Sequence, residues 1–285
     1  MIIGSAMNGL ARIAPALAGR AVFRLFAYAG TRVPLRDTEL AVDNAATVEP
    51  ITVNGKQVLT YRWGDGHRPV LLIHGWQSRA SRFAEFVPRL RALGYTPISF
   101  DAPGNGDSAG RFTNAFEFVE ATKQIQQRYG PFEAIITHSF GAICAFLALR
   151  DGVRADRLVT ISGVADFEQL ADGFIRIAGL SPRSKAVLTA RTAALFGPEP
   201  WRRLSATHRP EQITLPILAI HDEGDRVIDP GQATLITEAY GDQARRISTT
   251  GLGHHRILAD PAVLDAAVAF LTDPATPAAH APRLP

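Results

Sequence analysis

The sequence predicts a single α/β domain built on a mostly parallel, doubly wound sheet of about eight strands. Short runs of β-branched and other apolar residues alternate along the chain with longer amphipathic stretches. This alternation is typical of strands that are joined by crossover helices. The 285 residues are 46% hydrophobic and 20% charged, which favours a compact globular domain over a disordered or fibrous chain.

The first part of the predicted sheet lies within residues 46–163. Asn54-Gly55 separates two strand-like runs near residues 49–53 and 57–63, and this dipeptide is typical of a tight hairpin turn. A regular alternation of buried strands and amphipathic helices follows the hairpin. Further strands are expected at residues 70–74, 97–101, 134–137 and 158–162, and helices at residues 81–93, 114–129 and 141–150.

The sheet is expected to resume at residues 216–272, after an interruption. Strands are predicted there at residues 217–221 and 246–249, and helices at residues 231–240 and 261–271. The interval at residues 164–215 has no strand-like run, although a helical stretch is visible at residues 186–196. Because so long a gap exceeds an ordinary loop, we expect a small helical cap inserted into the α/β core.

A helical leader is predicted at residues 1–45. Its arginines interrupt every apolar run that could span a bilayer, and the leader is expected to pack on the domain. Peripheral membrane contact through residues 1–30 is the alternative. The apolar positions that recur at helical spacing are Leu10, Ile13, Leu17, Ala21, Leu25 and Tyr28.

The basic charge of the chain is concentrated in this leader. Residues 1–36 carry five arginines and no acidic residue, whereas the rest of the chain has a net charge of −2. The body therefore has no basic stripe of the kind that binds nucleic acid.

At the C-terminal end, residues 273–285 are rich in proline and alanine and are predicted to be disordered.

The single cysteine, Cys144, lies within the apolar run at residues 142–147. An intramolecular disulfide is therefore excluded, and a buried, inert thiol is expected.

The first basic residue, Arg12, comes too late for the basic start of a secretory signal. We expect a cytoplasmic protein, with peripheral membrane association as the alternative.

A candidate nucleophile, Ser139, lies in Thr137-His138-Ser139-Phe140-Gly141, between a predicted strand and a predicted helix. A serine on such a sharp turn projects above the sheet, and small neighbours two residues away allow the backbone to turn. The five-residue pattern is weak alone, and Ser139 could instead cap the helix. Its strand-turn-helix context favours the nucleophile.

A serine hydroxyl needs a base to activate it and a third group to orient that base. Asp225 follows one predicted strand and His254 follows the last, so both lie on loops at strand carboxyl ends, where open α/β sheets bind ligands. Asp222 and Glu223 are the alternatives for the acid, and His255 is the alternative for the base.

Four ordered segments resemble the α/β-hydrolase family over residues 48–272. His74-Gly75-Trp76 resembles the family's oxyanion loop, and residues 101–108 resemble its glycine-rich turn. The serine turn and Gly253-His254 are the other two segments, with Asp225 at the usual position of the acid. Thr137 departs from the family pattern, which usually has glycine there.

The resemblance implies an α/β-hydrolase fold and acyl transfer to Ser139. His254 would act as the base, Asp225 would orient it, and the amides of Trp76 and Phe140 would bind the oxyanion. Candidate pocket residues are His74, Gly75, His138 and Trp201. Arg202 and Arg203 are expected to form a solvated face, with contact to an anionic part of a substrate as the alternative.

The leading functional hypothesis is a carboxylesterase-like serine hydrolase that acts on a small or medium-sized acyl substrate. An acyltransferase and a non-catalytic ligand receptor are the alternatives, and lipase, thioesterase, peptidase and carbon-carbon hydrolase activities stay open. No cofactor, metal or nucleic acid is expected. Zinc-helix spacing is absent, and Gly104, Gly106 and Gly110 lack the full dinucleotide fingerprint.

Overall fold

The computed structural model describes residues 2–30 and 32–273. Its eight strands are Thr47–Val53 (β1), Lys56–Arg62 (β2), Pro69–Ile73 (β3), Thr96–Phe100 (β4), Ala134–His138 (β5), Leu158–Ile161 (β6), Ile217–Asp222 (β7) and Ala244–Thr249 (β8). They form one sheet in the order β1-β2-β4-β3-β5-β6-β7-β8. The predicted α/β fold with an eight-stranded, mostly parallel sheet is confirmed. Of the predicted disordered tail, all but Asp273 lies outside the described residues.

The antiparallel edge of the sheet begins with the predicted hairpin. Asn54 and Gly55 connect β1 to β2 with φ angles of 48° and 74°, the left-handed pair that a tight two-residue turn requires. β2 also pairs antiparallel with β4, and the remaining neighbours pair in parallel. The parallel carboxyl ends therefore lie along one edge.

Helices cover both faces of the sheet. They are Ile2–Ile13 (α1), Pro15–Phe26 (α2), Leu40–Asn44 (α3), Phe86–Ala92 (α4), Ala115–Tyr129 (α5), Phe140–Arg150 (α6), Phe167–Ile177 (α7), Pro182–Phe196 (α8), Pro200–Leu204 (α9), Gly231–Tyr240 (α10), Gly253–Arg256 (α11) and Pro261–Thr272 (α12). Alternate residues of β3 enter different cores: Leu71 and Ile73 pack with α5 and α6, and Val70 and Leu72 pack with α4 and α12. Burial on both faces explains why this strand is apolar throughout.

The interval at residues 164–215 contains α7, α8 and α9, which connect β6 to β7. The N-terminal helices pack on this helical segment, the candidate helical insertion. Gly19 of α2 lies so close to α8 that an added Cβ would be 2.9 Å from the Val187 carbonyl oxygen. Among the described helices, none is long and apolar enough to cross a membrane.

The apolar positions of the leader do not form one continuous buried face. Pro15 begins a second helix, so one continuous periodicity does not hold across it. Ile13 and Leu17 are 83% and 55% exposed. The helices instead bury small or slender residues, because the close approach to α8 leaves little room for larger ones. These buried residues are Gly4, Ala11, Ala18, Gly19 and Val22.

Candidate active site

Ser139 occupies a strained turn between β5 and α6. Its φ of 54° and ψ of −121° lie in a region that non-glycine residues rarely adopt. Its amide donates to the Ile161 carbonyl at 3.0 Å, and its carbonyl accepts from the Val164 amide at 3.1 Å. Gly141 permits the turn, since a Cβ there would lie 2.3 Å from the Ile73 carbonyl oxygen. The backbone therefore fixes Ser139 at the carboxyl end of the central strand.

Thr137, the residue that departs from the family pattern, fits inside the sheet. It is fully buried in β5, and its hydroxyl donates to the Val159 carbonyl of β6 at 3.2 Å. The polar atom that distinguishes it from glycine is thus paired. The turn at Ser139 forms with threonine at this position.

A chain of hydrogen bonds links the three residues that the sequence singled out. His254 Nε2 lies 3.1 Å from Ser139 Oγ, and His254 Nδ1 lies 2.8 Å from Asp225 Oδ2. All three side chains are buried. With its proton on Nδ1, the imidazole donates to the carboxylate and leaves Nε2 free to accept the serine proton. This arrangement can activate a hydroxyl nucleophile.

The Asp225 carboxylate is held by donors on several sides. Oδ1 accepts from the Val227 and Ile228 amides at 2.9 and 3.0 Å, and Oδ2 faces His254. Burial, the largest effect, raises the pKa of Asp225, but the hydrogen bonds from His221, His254 and these amides outweigh it. The net result is a pKa below the ordinary value, so Asp225 is a carboxylate at neutral pH.

Asp222, the competing acid, has another role in the structure. It accepts from the Gly224 amide at 2.9 Å, the Leu252 amide at 3.0 Å and the Thr249 hydroxyl at 2.9 Å. Asp222 thus joins the loop that carries Asp225 to the loop that carries His254. His255, the competing base, is exposed beside His254, with the two ring centroids 5.0 Å apart.

His221 is a site residue that the sequence analysis missed. It is fully buried at the end of β7, and its Nε2 lies 3.2 Å from the Ile228 carbonyl oxygen and 3.3 Å from Asp225 Oδ2. Both neighbours are acceptors, so Nε2 carries the proton. The signal in the sequence was a histidine four residues before the acid, at the carboxyl end of the same strand.

His138 supports the backbone of the candidate base. Its Nε2–H donates to the His254 carbonyl at 2.8 Å. Burial, the largest effect, and the neighbouring His254 lower the pKa of His138 to about 3, so the ring is neutral at physiological pH. His138 positions His254 and cannot easily replace it as the base.

The predicted oxyanion loop approaches the nucleophile closely. A Cβ on Gly75 would lie 2.9 Å from Ser139 Cβ, so only glycine allows this distance. The next residue, Trp76, packs edge-to-face on Phe140 with ring centroids 5.2 Å apart. The Phe140 amide is at the start of α6, where helix amides have no intrahelical acceptor.

His74 anchors this loop from below. The Ala102 amide donates to His74 Nε2 at 3.0 Å, so Nδ1 is protonated and donates to the Gly75 carbonyl at 2.7 Å. Burial lowers the pKa of His74 to about 4. His74 was predicted as a pocket residue, but it is fully buried and lines neither cavity that meets Ser139. Both of its ring nitrogens are hydrogen-bonded to backbone groups.

Two cavities meet at Ser139. The larger is an apolar cleft of about 670 Å³ between the core, the helical insertion and α2, and it includes His254 and Trp201. The smaller, of about 300 Å³, is polar and includes Gly75 and His138. Aromatic side chains that line the larger cleft include Phe23, Phe26, Trp76, Phe167, Phe174 and Trp201.

The two arginines beside Trp201 lie outside both cavities. Arg202 pairs with Glu199 at 2.6 Å, where both side chains are largely exposed. Arg203 donates to the Phe196 carbonyl at 3.1 Å. These contacts favour a solvated face over contact with a substrate.

One histidine cluster has the spacing of a possible metal site. Donor atoms of His138, His254 and His255 lie within 4.8 Å of one another. However, His254 already faces Ser139 and Asp225 with its two nitrogens, and His138 Nε2 donates to a carbonyl. A metal on His254 would have to displace the candidate nucleophile or the carboxylate. The contacts therefore favour a hydrogen-bonded relay in this cluster.

Comparisons with solved structures show the same architecture. An esterase from Pyrococcus furiosus is 18% identical with a TM-score of 0.62, over 84% of this chain and 95% of that one. An esterase from Rhodococcus sp. is 17% identical with a TM-score of 0.62, over 80% and 99%. A thioesterase domain from the curacin biosynthetic pathway is 19% identical with a TM-score of 0.56, over 80% and 98%. At these identities the likeness concerns the fold.

The sequence comparisons are consistent with this fold. No curated protein sequence matches the chain. The model of the alpha/beta hydrolase family matches residues 70–282, a segment that contains Ser139, Asp225 and His254. The match supports a hydrolytic activity. Because it extends over well more than half of the sequence, we conclude that the chain belongs to the alpha/beta hydrolase family.

Proposed function

We propose that this protein is a serine hydrolase that cleaves carboxylic esters through an acyl-enzyme on Ser139. The observation that carries the proposal is the hydrogen-bonded chain from Ser139 through His254 to Asp225, which opens into an apolar cleft. A pure binding site needs no such ordered chain. The strained backbone of Ser139 is also typical of a functional position.

In the first half of the reaction, Ser139 Oγ attacks the acyl carbonyl carbon while His254 Nε2 accepts the hydroxyl proton. The amides of Trp76 and Phe140 donate to the oxyanion of the tetrahedral intermediate. Each such donor typically stabilises the transition state by about 3 kcal/mol. The imidazolium then returns its proton to the leaving alcohol oxygen as the carbon–oxygen bond breaks. Asp225 stabilises the imidazolium throughout.

The second half repeats these steps with water. His254 takes a proton from the water molecule, and the resulting hydroxide attacks the acyl carbon of the Ser139 ester. When the bond to Oγ breaks, His254 returns the proton to Ser139. The free enzyme and a carboxylic acid are the products.

The chemistry of the two cavities favours an ester with an apolar acyl group. The larger cleft is lined mainly by aromatic and aliphatic side chains, which suit an uncharged hydrocarbon group. The smaller cavity is polar and can accept the alcohol part. The same polar cavity favours one second candidate, an acyltransferase in which an alcohol or thiol replaces water.

The test is hydrolysis of p-nitrophenyl butyrate, a butyryl thioester and an aminoacyl anilide by wild-type protein and by Ser139→Ala. We expect the butyrate ester to be the best substrate and Ser139→Ala to lower kcat by roughly 10⁴ or more. Ser248→Ala, an exposed serine on β8, is the matched control and should retain wild-type activity. Equal rates for Ser139→Ala and wild type would contradict the proposal.

Product analysis separates the two candidates. With an added alcohol or thiol acceptor, a hydrolase forms mainly the free acid, whereas an acyltransferase forms mainly the new ester or thioester. Exclusive formation of acid at all acceptor concentrations would remove the acyltransferase.

A further inference from the structure

We propose that the N-terminal helix α2, supported by α1, forms the far wall of the acyl cleft, and that Phe23 and Phe26 restrict the substrate to medium-chain apolar acyl groups. This inference rests on the proposed esterase function. The family match begins at residue 70, so these helices lie outside the segment that identifies the family. The acyl site of this chain would therefore depend on a part of the sequence that family membership does not describe.

The two phenylalanines belong to the same cleft as the nucleophile. Phe23, Phe26 and Ser139 all line the cavity of about 670 Å³. Phe26 lies among aromatic side chains of the helical insertion, with ring centroids 4.9 Å from Phe174 and 6.2 Å from Trp201. Phe23 faces Phe196 at 6.1 Å. The wall thus consists of side chains from α2 on one side and from the insertion on the other.

A chain of ring contacts connects this wall to the nucleophile. Phe140 directly follows Ser139, and its ring centroid lies 6.1 Å from that of Phe167. Phe167 in turn lies 6.2 Å from Phe26. Phe26 is therefore two ring contacts away from the residue beside the nucleophile. The cavity of about 670 Å³ extends along these rings from Ser139 to Phe26, and an acyl chain of several methylene groups fits within such a volume.

Hydrogen bonds hold α1 against the insertion. The Asn8 side-chain oxygen accepts from the Ser181 amide and the Ser184 hydroxyl, both at 2.7 Å. The Asn8 amide group donates to the Gly179 carbonyl at 3.0 Å. One side chain of α1 thus satisfies three polar groups at the junction of α7 and α8. Such a contact positions the helix as well as burying it.

The end of α2 is tied to the core near the nucleophile. The Ala29 amide donates to the Arg111 carbonyl at 3.0 Å, and the Thr113 amide donates to the Ala27 carbonyl at 2.9 Å. Gly30 follows, and a Cβ there would lie 2.6 Å from the Gln77 side chain, next to Trp76. Because α1 is held through Asn8 and α2 is held at its carboxyl end, the positions of Phe23 and Phe26 are set by the fold.

The size and chemistry of the cleft identify the substrate class. Its volume lies within the range of sites that enclose a whole small-molecule ligand, which is far more than an acetyl group fills. Aromatic walls bind an acyl chain by burial of apolar surface, at roughly 0.8 kcal/mol for each methylene group. We therefore expect octanoyl esters to be preferred over acetyl esters.

The experiment measures kcat/KM for p-nitrophenyl acetate, butyrate, octanoate and dodecanoate with wild type, Phe26→Ala and Phe23→Trp. Phe26→Ala enlarges the cleft, so the ratio of dodecanoate to octanoate should rise by about tenfold, whereas Phe23→Trp fills it and should favour butyrate by a similar factor. Acetate should change little in either variant. Leu17→Ala, on the exposed side of α2, should keep the wild-type profile.

A binding measurement tests the cleft wall separately from the hydrolytic step. Ethyl octanoate and ethyl dodecanoate are titrated into Ser139→Ala protein, with and without Phe26→Ala, and the fluorescence of Trp76 and Trp201 in the cleft reports binding. Hydrolysis with one unchanged chain-length profile in every variant would overturn the inference and leave the esterase proposal standing. Shifted binding preferences without any hydrolysis would support Phe26 as part of the cleft wall and reject the esterase.

Discussion

The Asp225 carboxylate has two histidines as neighbours. His254 faces both Asp225 and Ser139, whereas His221 faces Asp225 and a backbone carbonyl. His221 therefore touches no reacting atom and acts as a positioning residue. It completes the set of donors that keeps the carboxylate ionised and correctly oriented.

His221→Phe should lower kcat by about tenfold with little change in KM. The variant keeps an aromatic ring of similar size but removes the donor, and a buried acceptor that loses its partner costs about 1–3 kcal/mol. The pKa of Asp225 should rise, because the carboxylate loses the hydrogen bond from His221. His67→Phe, at an exposed histidine, is the control. An unchanged kcat in His221→Phe would show that His221 has only a packing role.

Asp225→Asn and Asp222→Asn should have opposite effects on activity and stability. Asp225→Asn should lower kcat by roughly 10³ or more, because the amide favours the wrong tautomer of His254. Asp222→Asn should retain most of the activity and instead lower the free energy of unfolding by about 1–3 kcal/mol, since it breaks charge-assisted bonds between two loops. Steady-state kinetics and urea unfolding check the pair. A greater loss of kcat in Asp222→Asn than in Asp225→Asn would show that Asp222, and not Asp225, is the acid that orients His254.

The close packing of helix α6 against strand β3 depends on one glycine, Gly141. A Cβ on Gly141 would overlap the Ile73 carbonyl, and a backbone carbonyl cannot move away as a flexible side chain can. The close approach lets α6 begin directly after Ser139. The position of the nucleophile therefore depends on helix packing as well as on the turn.

Gly141→Ala should strongly destabilise the protein, by about 3 kcal/mol or more. Gly9→Ala is the matched control, because Gly9 also lies within a helix but has open space where a Cβ would be. That control should be neutral or stabilising by about 0.5–1 kcal/mol, since alanine favours helix over glycine. Urea unfolding measures both. Similar free energies of unfolding for the two variants would contradict the packing argument.

The elements that could be predicted from the sequence are those with strong local patterns. The buried parallel strands are continuous apolar runs, and the hairpin has Asn54-Gly55 at its turn. The packing of the leader could not be predicted in the same way. Large apolar residues such as Ile13 and Leu17 suggested its buried face, but the close fit of Gly19 against α8 depends on a partner more than 150 residues away.

The candidate site shows the same division between local and long-range information. Motif context singled out Ser139, Asp225 and His254, and the structure places them within hydrogen-bond distance. His221 and the roles of His74 and Asp222 were not foreseen, because each depends on which loops meet in space. The contribution of Phe23 and Phe26 to the cleft lay equally outside any local pattern.

Buried neutral histidines make the stability of the folded protein depend on pH. Burial lowers the pKa of His74 to about 4 and that of His138 to about 3, whereas the unfolded chain has the ordinary value near 6.5. Their contribution is therefore complete above pH 6.5 and is lost as the pH falls toward these folded-state values. Each histidine adds at most about 1.4 kcal/mol per pH unit to the slope with which the free energy of unfolding falls.

The measurement is urea unfolding of wild type and His74→Asn between pH 7 and pH 5. The free energy of unfolding of wild type should fall more steeply below pH 6.5 than that of the variant, by about 1 kcal/mol per pH unit. His67→Asn removes an exposed histidine and should leave the wild-type slope unchanged. Parallel curves for wild type and His74→Asn would show that His74 protonates equally in both states.

Ser139 is the proposed nucleophile, and His254 is the proposed base that activates it. The most direct test is labelling of intact protein with a fluorophosphonate, followed by mass spectrometry of the intact chain and of its peptides. We expect one adduct per chain, located on Ser139, absent in Ser139→Ala and much slower to form in His254→Ala. No adduct on folded wild-type protein, or an adduct on another residue, would contradict the role of Ser139 as the nucleophile.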